Sequence, residues 1–492
     1  MKTGNSLNIP SLQLMAVLSS CAHIDGTPGM AVPSGLVVRE KVLATMPQHE
    51  QVDSFQVSPD YRHVAMWLKE DGGQALYIDG KLMDRCDEIG GGPVYFSMDG
   101  KRAAWQGREG AEYYLNIDGK RATGCQTAEA GPGIFGPDSK DTAYVVIRDR
   151  RCSVITGGKE GRDYEKVIGD SVTFSPDGRS LGYKVRLDGG WAMVRDGVAG
   201  EVFDNIMTKP VFSKDGRMAF AAKKGSASFV VVDGRRNHEY DSILQGPIFS
   251  PDGSHYAYVS RNGTGASQKK GGDPNQGSPK IFVIKDGVEL PGEYQDIANN
   301  SLTFSGDGKL LGFVDRRAGE RKKYVVINGE VGRPYDNVLD DRVCFNADGK
   351  RYGFIAASET GYFTVVDGIE GPPSEQSGPL TFSPDGKAAY VAKRGDNYVL
   401  FEGGTIAVSS KMPFSEVAYS ADGGVRAYTA KAGEKFMVVL DGKDGLEYDR
   451  IISSVKNGKP TGIVFDGPRS LHFIAINGRN VFFVEQEAQT GP

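Results

Sequence analysis

The sequence predicts an all-β fold, a β-propeller of about eleven four-stranded blades, and three observations carry that prediction. An aromatic or apolar anchor recurs at Val57, Phe96, Phe135, Phe174, Phe212, Phe249, Phe304, Phe345, Phe382, Tyr419 and Phe465. Most successive anchors lie 37 to 41 residues apart, with 55 between Phe249 and Phe304 and 46 between Tyr419 and Phe465, which is the period of one blade. Within each unit, apolar runs of four to seven residues alternate with Gly-, Asp- and Asn-containing breaks, and no long 3.6-residue periodicity appears. Two kinds of Asp-containing turn then recur at fixed places in the unit.

Residues 382–418, FSPDGKAAYVAKRGDNYVLFEGGTIAVSSKMPFSEVA, show the order. Strand A ends at the anchor; B is typified by AYVA, C by FVVVDG at 229–234 and D by HEYDSI at 238–243. Between A and B, Asp stands three residues after the anchor in ten of the eleven units, at positions 60, 99, 138, 177, 215, 252, 307, 348, 385 and 422. A catalytic acid is not needed ten times. In Ser-Pro-Asp-Gly, Pro presets its φ, Asp bonds a nearby backbone N–H, and Gly takes the positive φ that closes the turn. The C–D turn is Asp-Gly beginning at Asp79, Asp118, Asp196, Asp233, Asp286, Asp367 and Asp441, and Asn328-Gly329 in one more unit, suiting a type I′ hairpin. The last unit lacks it: after NVFFVEQE at 480–487 no sequence remains for strand D. The alternating stretch GLVVREKVLAT, 35–45, belongs to no complete unit and is expected to supply that strand, removing an open sheet edge.

Phe174-Ser175-Pro176-Asp177-Gly178, Phe249-Ser250-Pro251-Asp252-Gly253 and Phe382-Ser383-Pro384-Asp385-Gly386 resemble the WD-repeat-like propeller units of TolB-type periplasmic proteins, which are also similar to oligopeptidase propeller domains. The resemblance runs from about residue 35 to 487, with departures at Tyr61, Ser139 and Pro468. It implies a fold far more than an activity, because many unrelated functions share it. Eleven blades exceed the roughly four to eight of a common ring, so two packed propellers are expected ahead of one large ring.

The chain of 492 residues carries a net charge of −5, with Lys and Arg spread through every blade, so no basic stripe points to nucleic acid. No apolar run approaches the roughly 18 residues of a membrane span. At the N-terminus, Lys2, the moderately apolar segment Leu12–Leu18 and Leu18-Ser19-Ser20-Cys21 resemble a bacterial lipoprotein lipobox. That resemblance implies a signal peptide over 1–20, acylation of Cys21 and a tether over 21–34, ahead of the blades at 35–487 and a tail at 488–492. Ala22 after the cysteine would suit the outer membrane, and the expected location is the cell envelope, periplasmic or outer membrane. Membrane contact is expected through this anchor alone.

No catalytic constellation emerges. The six histidines are scattered, no Gly-x-Ser-x-Gly elbow exists, and Cys86, Cys125, Cys152 and Cys344 form no Cys-x-x-Cys pair, so neither a metal nor a cofactor is expected. Cys86 and Cys125 occupy equivalent D-strand positions and are expected to be free and partly buried. The repeated Tyr-Asp-x-Ile/Val at Tyr240–Ile243, Tyr335–Val338 and Tyr448–Ile451, varied at Phe203–Ile206, reads as blade-to-blade packing, with Tyr and x on one strand face and Asp and Ile on the other. Two insertions break the repeat. NGTGASQKKGGDPNQGSPK, 262–280, lengthens a B–C loop, and SSVKNGKPTG, 453–462, lengthens a D–A connection; both are expected on the face opposite the tight turns. Loops that vary on a rigid scaffold carry recognition, so the expected binding residues are Lys269, Lys270, Asp273, Asn275, Lys456 and Asn457. The expected function is a non-enzymatic, exported, lipid-anchored protein that binds a protein or an envelope polymer. The alternative is a propeller-type glycan hydrolase or lyase with single acidic residues in a central channel.

Overall fold

The computed structural model describes residues 35–46, 52–70, 72–89, 93–110, 112–122, 127–129, 134–262, 279–317, 319–452, 455–456, 459–460 and 462–489. Among them are eleven antiparallel sheets of four strands each, plus one small hairpin. Blade 9 is representative. Strand A is split into Gln376–Ser377 and Thr381–Phe382, both paired with B (Ala388–Arg394), and C (Asn397–Glu402) and D (Thr405–Ser410) follow as a meander. Strands B and C are flanked by a neighbouring blade on both faces, so their sequences are apolar runs rather than alternations. In blade 5, Met218 through Ala222 are all buried, and only the two lysines that end strand B are exposed.

Eleven apolar cores join the blades, one at each interface between neighbours in sequence. The last joins blade 11 to blade 1 through Ile474, Val481, Leu43, Val64 and Met66. Contacts in this order form one cycle, so the chain makes a single ring, and the two packed propellers expected from blade number do not form. The physical reason lies in the interfaces: every blade presents an apolar face to the next, and none is left polar to end a smaller ring. The N-terminal strand Leu36–Thr45 pairs antiparallel with strand C of blade 11, Leu36 opposite Ala488 and Thr45 opposite Asn480, and so supplies the missing strand D. The blades therefore extend one residue past the expected end at 487.

Tyr-Asp-x-Ile/Val marks the crossing between blades. The Tyr ends strand D of one blade, and x-Ile/Val starts strand A of the next: Tyr448 bridges Phe436 in blade 10, whereas Arg450 and Ile451 pair with Ile476 and Ala475 in blade 11. Because the chain changes sheets within the motif, strict alternation fails. Tyr335 and Val338 are buried, and Asp336 is exposed. The Tyr ring meets an aromatic ring of the next blade edge-on, as in Tyr335–Phe354 (5.5 Å, 70°) and Tyr448–Phe473 (5.9 Å, 81°). Its hydroxyl lies within hydrogen-bond distance of a strand-D carboxylate of that blade: Glu289 for Tyr240 (3.2 Å), Glu370 for Tyr335 (3.3 Å) and Glu40 for Tyr448 (2.8 Å). Glu40 thus places the N-terminal strand in the same register as the other strands D. The motif's Asp accepts a backbone N–H at the B–C turn of the next blade, Gly225 to Asp204 at 2.7 Å and Gly478 to Asp449 at 2.6 Å.

The tight-turn face follows the sequence closely. In the eight A–B turns that carry the serine, its hydroxyl donates to the turn Asp, at 2.7 Å for Ser97–Asp99 and 2.5 Å for Ser250–Asp252, where the Asp also takes the N–H two residues on. At the C–D turns, Asp79, Asp118, Asp196, Asp233, Asp286, Asn328, Asp367 and Asp441 all have φ near +50°. Several accept the first N–H of strand B, such as Val64 to Asp79 at 2.9 Å. Gly157-Gly158 and Gly403-Gly404 make the same turn in blades 3 and 9. Long cations carry the network from blade to blade: Arg195 donates to Gly216 O (2.9 Å) and Lys285 to Lys309 O (2.8 Å).

Candidate ligand cavity at the ring seam

Strand A is the innermost strand of each blade, and in most blades it is interrupted. In blade 11 it pairs with strand B at Arg450–Ile452 and resumes at Val464–Phe465. Strand B advances only from Ile474 to His472 over the same interval. The insertion 453–462 therefore rises from the middle of an inner strand, and the expected D–A connection on the far face is corrected. The D–A crossing itself is too short to hold it, since Asp449 alone separates Tyr448 from the pairing at Arg450. Val455–Lys456 pairs with Lys459–Pro460 as a small hairpin, next to strand A of blade 10 (Phe414–Tyr419).

Immediately after that hairpin, the chain lines a cavity of about 700 Å³. Its walls come from the ends of strands A and the A–B turns of four consecutive blades: Phe382 and Pro384 of blade 9, Tyr419 and Asp422 of blade 10, Phe465, Asp466 and Pro468 of blade 11, and Pro59 and Tyr61 of blade 1. The volume lies within the range of small-ligand sites, roughly 300 to 1,000 Å³.

Two departures from Ser-Pro-Asp-Gly build this site. Tyr61 stands where eight other blades have Gly, and it keeps the same turn, its N–H donating to Ser58 O at 3.0 Å. It does so at φ 55°, against 68° to 84° for those glycines. A left-handed conformation costs a non-Gly residue about 1 to 2 kcal/mol, and such strain clusters at functional sites. In blade 11, Asp466 takes the place of the turn serine, and Pro468 takes that of Asp. Asp466 ties the seam: Arg62 donates to its Oδ1 at 2.6 Å, and its Oδ2 lies 2.8 Å from Nδ1 of buried His472. His472 Nε2 lies 2.8 Å from Asp60 O, so this side chain bridges blade 11 to blade 1. Asp422 is different. Its Oδ1 accepts from Ser420 Oγ (2.6 Å) and Gly424 N (3.1 Å), bonds that hold its pKa below the usual range, and among the described residues it has no cationic partner. Burial, reinforced by the Glu402 carboxylate, raises the pKa of the Tyr419 hydroxyl, which keeps it neutral.

A smaller cavity of about 240 Å³ lies between blades 8 and 9, where Gly403-Gly404 leaves the C–D turn without its carboxylate. The buried Thr364 hydroxyl in its wall has no partner among the described residues.

Cys21, Lys269, Lys270, Asp273, Asn275 and Asn457 lie outside the described residues, as does Cys125. Lys456 belongs to the hairpin beside the cavity wall. The first insertion departs from Asn262 and returns at Lys280 at the B–C end of blade 6, whereas the second interrupts strand A of blade 11, so the two do not arise at equivalent places in their blades. Cys86 is free and buried with 9% exposure, and Cys152 and Cys344 are free. Among the described residues, no group of three His, Cys, Asp or Glu is placed to hold a metal ion, and no helix is long and apolar enough to cross a membrane. The cavity itself escaped sequence reading, although its signal was present in Tyr61 and Pro468. Both depart from the motif, and only the ring brings them together.

No protein-family profile and no curated protein matches the chain. Solved structures to which the chain is similar include a eukaryotic initiation factor, 14% identical over 73% of this chain and 95% of that one, with a TM-score of 0.36. Hydrazine synthase from Kuenenia stuttgartiensis is 14% identical over 55% of this chain and 94% of that one, with a TM-score of 0.27. TolB from Acinetobacter baumannii is 17% identical over 68% and 78%, with a TM-score of 0.22.

Proposed function

We propose that this propeller is a non-enzymatic binding protein whose ligand enters the seam cavity. The observation that carries the reading is the concentration of motif departures on one cavity: strained Tyr61 and the exchanged Asp466 and Pro468 line about 700 Å³ beside an inserted hairpin. The third departure, Ser139 of blade 3, lies away from the cavity, and its hydroxyl accepts the Asp99 N–H of the blade 2 turn, a scaffold contact. Asp466 is engaged by Arg62 and His472, and His472 has both ring nitrogens in contact with protein oxygens, so this pair serves to close the ring rather than to move protons. The ligand is a protein or an envelope polymer, and the chain is exported, processed before Cys21 and held to a membrane by acylation of that thiol, on the strength of Leu18-Ser19-Ser20-Cys21.

The test is capture from the native cell envelope with wild type, Phe465→Ala and a variant shortened over 263–278. Loss of the captured partner with Phe465→Ala, at unchanged melting temperature, supports the cavity; loss only with the shortened loop moves binding to the opposite face. Cys21→Ala should release the protein from the membrane fraction, and membrane retention of that variant would overturn the anchor.

A further inference from the structure

We infer that the seam cavity takes the cationic side chain of a lysine or arginine presented by an extended segment of a partner polypeptide. The inference rests on the binding reading above and adds the chemistry of the ligand. The lining is made of aromatic rings and prolines, with Asp422 and Asp466 at the turns and no lysine or arginine among its residues. An anionic ligand would meet the Asp422 carboxylate, which, unlike Asp466 with its Arg62, has no cationic partner among the described residues. A neutral sugar needs many hydrogen-bonding groups, and here they are mostly taken: both Asp466 oxygens are engaged by Arg62 and His472, and Asp422 Oδ1 by Ser420 and Gly424.

What remains is Asp422 Oδ2, the buried Tyr419 hydroxyl, which has no hydrogen-bond partner among the described residues, and the half-buried rings of Phe382, Tyr419 and Phe465. Asp422 is held ionised by its turn, first by the Ser420 hydroxyl, and is without a cationic partner among the described residues. Asp385, in the equivalent turn of blade 9, already holds Lys387 at 2.7 Å, and blade 10 has Gly424 where that lysine would stand. The charge that other turns satisfy internally is thus left open at the cavity. Aromatic faces attract ammonium and guanidinium groups, and apolar walls pack along a hydrocarbon stem. A lysine or arginine side chain combines both features.

The experiment uses the full chain and three probes in calorimetric titration: a Gly-Lys-Gly peptide blocked at both ends, its norleucine counterpart, and a neutral N-acetylglucosamine trisaccharide. The lysine peptide should bind at least tenfold more tightly than the norleucine peptide, weaken with added salt, and lose at least tenfold on Asp422→Asn. Tyr61→Gly, which restores the residue used by eight other blades and so preserves the turn, should weaken it as well. Equal binding of the lysine and norleucine peptides overturns the inference. Trisaccharide binding that is lost in Tyr61→Gly overturns it too, while leaving the cavity as a ligand site. If no probe binds, the cationic chemistry is wrong; if Phe465→Ala also captures partner normally, the binding reading falls with it.

Discussion

The A–B turns of blade 6 and blade 1 occupy the same place in the repeat and have opposite economies of structure. In blade 6, Ser250, Asp252 and Gly253 satisfy one another and the backbone within a few residues, and Asp252 sits below the usual carboxylate range because the Ser250 and Ser254 hydroxyls donate to it. In blade 1 the glycine has become Tyr61, whose backbone is strained and whose side chain is 9% exposed against the neighbouring blade. Across the seam, the partner turn in blade 11 has exchanged its serine for an Asp that bonds Arg62 and His472. Local closure makes a turn interchangeable, and the repeat can copy it. At the seam, where Asp466 and His472 reach across to blade 1, the residues are specific to that one place.

The largest expected effect breaks the seam itself. Deleting residues 35–46 exposes the faces that cover buried Leu36, Leu43 and Ala44 and leaves Tyr448 without Glu40. Stability should fall by about 4 kcal/mol or more from the two leucines alone, seen as a lower melting temperature together with light scattering from the uncovered edge of Asn480–Ala488. Asp466→Asn should cost about 2 kcal/mol, because it weakens two charge-assisted contacts at once, and a cost below that of a blade 6 turn variant would contradict the contrast drawn here. Asp252→Ala is that variant, with an expected loss of about 0.5 to 2 kcal/mol by analogy with capping residues.

Acid acts on eight of the repeated turns together. The carboxylates of Asp99, Asp138, Asp177, Asp252, Asp307, Asp348, Asp385 and Asp422 are all held below their ordinary range, Asp307 at about 2 because the Ser305 hydroxyl donates to it. A depressed carboxylate contributes stability that is complete above the unfolded value of about 3.9 and is lost as pH falls through the folded one. The melting temperature should therefore drop as pH is lowered from about 4 to about 2, and a flat profile over that window would remove the turns from the stability account. The smallest effect is expected from replacing 263–278 with a tight turn. Asn262 and Lys280 are already register partners, so the ends stay joined and the melting temperature should be nearly unchanged.

Repetition made most of the fold legible. The anchors, the Asp-Gly turns and the orphan strand at 35–45 each recur or complete a recurrence, and the structure places all of them as their chemistry requires. Ring number was not legible, because it depends on whether each blade face meets its neighbour, and a periodic sequence says nothing of where the period closes. Assigning 453–462 to a connection failed for a related reason: Tyr448-Asp449-Arg450-Ile451 looks like a continuous strand although the chain changes sheets inside it. The cavity was hidden because Tyr61 and Pro468 are far apart in sequence and adjacent only after closure.

Closure also sets an order in time. The hydrogen bond between Glu40 and Tyr448 spans 408 residues, and at synthesis rates of about 5 to 20 residues per second its acceptor leaves the ribosome roughly 20 to 80 s before its donor. Throughout that interval the growing array of blades has no terminal partner, and strand 36–45 is an unpaired segment of alternating character. A protein built this way is released to fold by its last blade, and the cavity at the seam comes into being only at that moment.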